Sequence, residues 1–158
     1  MTVYNAGPVV FAGVSSVTNS LGANDPEVGQ CYREGDEEYV WVYNAGNSQI
    51  QPSYGAVMSA VSGYSVTLSS TSGVDFLVGV CKHATIATGY YGWLMKKGFA
   101  DVEMEADNSC AAGGLLALAA DGEFALKSNS TGYPTPAVGK AMAAIASGAS
   151  GAAYISVY

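Results

Sequence analysis

The sequence predicts an all-β protein: a compact β-barrel or β-sandwich with short hairpins and at most one or two short helices. Short runs of alternating apolar and polar residues are cut at close intervals by Gly, Pro, Asn and Asp, the pattern of many short strands. Gly79 to Gly98 reads as two extended segments joined by a Gly-bearing turn, rich in aromatic and β-branched residues that suit a pleated surface. Almost no stretch sustains a helical period long enough to outweigh these signals.

The elements follow in order. Residues 1–27 read either as an N-terminal arm or as a first strand plus loop. Val9, Val10 and Phe11 form an apolar patch there, and Ser15 to Pro26 has turn chemistry. Residues 28–158 read as a single β domain. Val28 to Arg33 and Tyr39 to Asn44 flank the stretch Glu34 to Glu38, a hairpin by its Gly and Asp content. In the second of these runs Tyr39, Trp41 and Tyr43 share one face and Val40 and Val42 the other, so both faces are apolar enough for a central strand. Gln49 to Gln51, Ala56 to Val61, Tyr64 to Ser69, Phe76 to Lys82, Tyr90 to Lys97 and Ala100 to Glu105 continue the series.

Gly113 to Gly122 reads as a strand entering a tight Asp121-Gly122 turn, with Glu123 to Lys127 returning, although its Leu/Ala content equally suits a short helix. Residues 128–136 are loop. Val138 to Ala146 is ambiguous, because Ala and Met favour helix while the flanking Gly and Pro leave little length. Ala152 to Tyr158 alternates and closes the chain as a strand. Tyr4-Asn-Ala-Gly7 and Tyr43-Asn-Ala-Gly46 mark Asn-x-Gly turns rather than a repeat.

At 158 residues the chain fits one domain, and folding at that size buries roughly 70% of the unfolded surface. Charged residues make up only 12%, so few ions need desolvating when the surface packs against other protein. The net charge of −7 and the scatter of the six basic residues argue against a nucleic-acid partner. No run approaches the ~18 apolar residues of a membrane span, and no signal-peptide pattern opens the chain. Soluble protein made in a cytoplasm is therefore the expectation, with Cys31, Cys81 and Cys110 as buried free thiols, one disulfide being possible on later oxidation.

Catalytic signals are weak. His83 is the single histidine and has no carboxylate near it in sequence. A Cys81/His83 dyad lacks an orienting group and an oxyanion site. Asp101, Glu103 and Glu105 fall on one strand face, where mutual repulsion argues for a solvated surface, and they lack a calcium-loop pattern. Gly139-Lys140 is not a phosphate loop, and Gly148 to Gly151 is not a nucleophile elbow. The sequence therefore points to no enzyme, no cofactor and no metal site. The aromatics remain: eleven tyrosines and two tryptophans exceed the needs of one core. In Tyr90-Tyr91-Gly92-Trp93, Tyr91 and Trp93 share a side and Tyr90 takes the other, one side for the core and one for a partner or a sugar ring.

Val78-Gly79-Val80, the run Ala87 to Gly98, Ala112 to Leu116, Asp121-Gly122 and Val138-Gly139-Lys140-Ala141 together resemble the small capsid decoration (cement) proteins of tailed bacteriophages. The resemblance covers residues 75–158 and rests on turn residues. The aromatic, acidic segment 28–66 departs from that pattern. It implies a structural virion protein on the capsid exterior that binds the major capsid protein, bridges its subunits and stabilises the head, with synthesis in the host cytoplasm and self-association, a trimer first. On that reading Val9, Val10, Phe11, Tyr90, Tyr91 and Trp93 are the candidate capsid or subunit contacts. The competing expectation is a carbohydrate- or receptor-binding β module of a virion.

Overall fold

The computed structural model describes residues 13–22, 25–59, 64–68, 76–127 and 137–157. The strands are β1 (Val17–Thr18), β2 (Cys31–Glu34), β3 (Glu37–Asn44), β4 (Gly55–Met58), β5 (Ser65–Leu68), β6 (Leu77–Val80), β7 (Tyr91–Glu103), β8 (Leu115–Leu118), β9 (Phe124–Leu126), β10 (Gly139–Ala141) and β11 (Ser150–Ser156). One 3-10 turn at Ala120–Gly122 is the sole helical element among the described residues. The chain is all-β, as its alternation predicts.

Five strands close on themselves in the order β3-β5-β4-β6-β7-β3. The closing pair β3–β7 is antiparallel, with Trp41 opposite Trp93 and Tyr43 opposite Tyr91, whereas β3–β5 is parallel. Closure removes the unpaired edges of an open sheet. Val40, Val42, Ala56, Val66, Val78 and Leu94 fill the barrel, and Ile50, Cys81 and Ile86 complete that cluster. In β6 the register slips opposite Ala56/Val57, sending Leu77 and Val80 to one core and Val78 to the other, as a β-bulge does.

A second sheet grows from the far half of β7, in the order β7-β11-β10-β8-β9. Its inner face (Ala100, Val102, Leu116, Leu118, Ala141, Ala153, Ile155) meets the outer wall of the barrel (Tyr39, Trp41, Val57, Leu77, Trp93, Met95) in one large core. The strands β3 and β7 therefore sit between two cores, and both of their faces are buried. Trp41 and Trp93 contact each other at a ring separation of 5.1 Å inside the larger core.

Several elements differ from expectation. Tyr90–Lys97 and Ala100–Glu105 are one strand of 13 residues, because Gly98 continues the chain at φ 131 instead of turning it. The segment between Val80 and Tyr91 is no tight hairpin turn. It is a looped connection pinned by the antiparallel bridge Ile50↔Ile86. The ambiguous 138–146 stretch resolves into β10 followed by turns and the bridge Cys110↔Ile145, since its neighbours β11 and β8 offer ladders on both edges. Cys31 is exposed, while Cys81 and Cys110 are buried, and all three are free.

Other expectations hold. The Asp121-Gly122 pair forms the turn between β8 and β9, with φ 54 and 81 and the Glu123 N–H donating to Ala120 O at 3.0 Å. Two positive φ values in succession are what a tight hairpin turn demands. Asn44 closes the Asn-x-Gly turn: its Oδ1 accepts from Gly46 N–H, and its Nδ2 donates to Ser48 O and Ile86 O. This fully buried amide is thus satisfied on both ends and ties β3 to two loops.

Candidate functional site

The expected contact residues fall into different environments. Val9, Val10 and Phe11 lie outside the described residues. Trp93 begins the central run of β7 and points into the larger core at 5% exposure, so its ring packs the interior and presents little area outward. Tyr91 is half-buried beside it, with ring centroids 4.8 Å from Tyr43 and 6.5 Å from Trp41. Tyr90 takes the opposite side, packed on the barrel cluster. The alternation read from the sequence is thus correct, but both sides meet a core, because β7 runs between two of them.

A polar cluster lies at the start of β3. The Tyr39 hydroxyl donates to Glu37 Oε2 at 2.5 Å and stands 3.2 Å from His83 Nε2, while the Lys82 ammonium pairs with Glu37 Oε1. With the Tyr39 hydroxyl hydrogen directed at Glu37, the imidazole donates from Nε2 to Tyr39 Oη. Burial pushes the Glu37 carboxyl up, but hydrogen bonds from Lys82 and Tyr39 outweigh it and hold the group below its ordinary value. Burial and the nearby Lys82 charge lower His83, leaving a neutral ring at pH 7. Burial also raises the Tyr39 phenol, helped by its bond to the Glu37 carboxylate.

Nothing in this cluster is an activated nucleophile. The Cys81 thiol donates to Ala84 O at 3.2 Å, and burial pushes it up to about 12, so it stays protonated. The carboxylate partner of Lys82 and His83 was invisible in the sequence, since Glu37 is 45 positions from Lys82.

The acidic row is larger than the sequence suggests. Asp101 is exposed, Glu103 accepts from Ser150 Oγ and Glu105 accepts from Asn108 Nδ2. The turn after β8 adds Asp121 and Glu123. Burial raises the Glu123 carboxyl, and the charges of Glu105, Glu103 and Asp121 raise it further. No group of three or more His, Cys, Asp or Glu side chains among the described residues has the geometry to hold a metal ion.

The exposed face of the second sheet carries a different feature. Phe99, Tyr154, Lys140 and Leu115 stand opposite one another across β7, β11, β10 and β8, forming one cross-strand row. Phe99 is 57% exposed and meets Tyr154 edge-on at 5.1 Å. Phe99 lines two open depressions. One, of about 330 Å³, is walled by Ser53, Lys82, His83, Asp101 and Ala152. The other, of about 460 Å³, is walled by Tyr154, Lys140 and Met142. Sequence reading passed over Phe99, because an aromatic followed by alternating acids looked like an ordinary solvated strand.

No family model matches the chain, and no curated protein matches it. A solved structure does: the N base of the head fiber gp8.5 of bacteriophage phi29, at a TM-score of 0.54 and 13% identity, covering 75% of this chain and 94% of that one. At that identity the likeness is one of fold, and it extends over nearly the whole of the fiber base.

Proposed function

We propose that this chain is a structural protein of a bacteriophage head, carried on the outside of the shell and attached there to the major capsid protein. The fold shared with a phage head fiber base carries this reading, since the likeness takes in 94% of that chain. The sequence supports it independently: turn residues resembling those of capsid decoration proteins occur in β6, β7, β8, β10 and the turn at Asp121-Gly122. The chemistry agrees, because a sparsely charged β surface binds protein with little desolvation cost.

In this proposal the protein bridges neighbouring capsid subunits and resists the outward push of packaged DNA. Each attachment needs only a modest interface, because many copies act together on one shell. The protein is made in the host cytoplasm and self-associates, with a trimer fitting local threefold positions. Its role is binding rather than catalysis. Val9, Val10 and Phe11 are the proposed shell contact.

Cosedimentation of the purified chain with heads that lack it tests the proposal. We expect saturable binding to the heads and a measurable rise in the temperature at which they release DNA. Absence of binding rejects head attachment. Undiminished binding after deletion of residues 1–20 rejects the N-terminal contact alone.

A further inference from the structure

We propose that the two depressions that share Phe99 form a binding site for an uncharged carbohydrate, with adjacent sugar units seated in the two. The inference stands apart from head attachment. It rests on the exposed aromatic, the polar groups around it and the balance of charge.

Phe99 stands 57% exposed on the sheet, in edge-to-face contact with Tyr154, and is the one aromatic side chain that lines both depressions. The C–H face of a pyranose is an apolar surface with weakly positive hydrogens, suited to the negative face of an aromatic ring. The rim of the same sugar needs hydrogen-bonding groups lying beside the ring. Asp101 supplies acceptors two residues along the same strand face, and Ser53 lines the same first depression. Neither makes a side-chain hydrogen bond or ion pair among the described residues.

The space is built as well. Ala152 stands opposite Asp101 in the β7–β11 ladder, and its small side chain leaves the gap beside Phe99 open. The backbone holds Ser53 in place: its N–H donates to Cys81 O at 2.8 Å, and its carbonyl accepts from Glu103 N–H at 3.0 Å. The volumes, about 330 and 460 Å³, fall within the roughly 300–1,000 Å³ of small-molecule sites.

Charge decides against the main rival ligands. Lys82 is already paired with Glu37, and Lys140 is a single cation in the lining of the second depression, so neither depression has the clustered cations that a phosphate or polyanion requires. A neutral polyol satisfies both the aromatic and the mixed polar rim.

Saturation-transfer NMR on the full chain with maltotriose, lactose and chitotriose, extended by a glycan array, is the test. We expect at least one glycan to receive saturation, with its ring C–H protons receiving most. Phe99→Ala should weaken that binding at least tenfold and Asp101→Asn several-fold, whereas Phe76→Ala, at a still more exposed ring outside both depressions, should leave it unchanged. Ala152→Gln, which fills the first depression from an exposed position, should also abolish binding and guards against a folding defect in Phe99→Ala. No glycan bound at millimolar concentration, or binding indifferent to both Phe99→Ala and Ala152→Gln, overturns the proposal. So does self-association that is lost in Phe99→Ala when no glycan binds, since the ring would then be covered by a second copy.

Discussion

Glu37 shows how much of this molecule's electrostatics sits in a few side chains. Its carboxylate receives Lys82 and Tyr39 together, and the Tyr39 hydroxyl in turn receives His83. Because the folded-state value lies below the ordinary 4.5, the stability it contributes is complete above that value. It is lost as pH falls through the folded value. His83 acts in the same direction, since a ring lowered from 6.5 binds its proton less readily folded than unfolded. Glu123 has the opposite sign: a raised carboxyl contributes below 4.5 and loses that contribution as pH rises through its folded value. The pair Lys82–Glu37 is partly solvated, so the effects are small. We expect Glu37→Gln to cost about 0.5–1 kcal/mol at pH 7, and less at pH 3 as the carboxylate begins to protonate, measured by urea denaturation across pH. Glu123→Gln should instead stabilise the protein at pH 7. Equal costs for Glu37→Gln at both pH values would show that the carboxylate is not held by these partners.

At the level of elements, β7 is the decisive one. It forms part of the barrel wall through Met95 and of the second sheet from Lys97 onward. Gly98 lies at the transition, with φ 131, and a Cβ there would sit 2.9 Å from Glu37 Cγ and 3.2 Å from Met95 Sδ. We expect Gly98→Ala to destabilise by about 1–3 kcal/mol, from backbone strain and crowding together. A change within error would mean that the strand passes the junction without needing that conformation. This position also shows where sequence reading stops. A glycine flanked by Lys97 and Phe99 looks like a break between strands, and only the partners β3 and β11 on either side keep the chain extended through it. Alternation in β3 and the Asp121-Gly122 turn were legible because both are local: side-chain period and turn conformation depend on adjacent residues. The parallel β3–β5 pairing, the double burial of Trp93 and the cluster around Glu37 were not, because each depends on segments far apart in the chain.

Over the whole molecule, the two cores share walls. Val40, Val42 and Leu94 face the barrel interior while Tyr39, Trp41, Trp93 and Met95 face the larger core, from the same two strands. Neither core can lose its packing without exposing the other, so the chain should unfold in one step. Two thiols report on this separately, since Cys81 belongs to the barrel cluster and Cys110 to the larger core. Pulsed alkylation with mass spectrometry should find Cys31 modified at once, and Cys81 and Cys110 modified together at a single denaturant midpoint. Distinct midpoints for the two buried thiols would show that the barrel and the second sheet melt independently.

The unbroken passage of β7 also has a mechanical consequence. A load applied to the second sheet along that strand enters the barrel through one continuous main chain, with no slack loop to stretch between the two bodies. Parting them means tearing the strand from β3 and β11 in shear, many hydrogen bonds at a time, and not unzipping a ladder one rung after another.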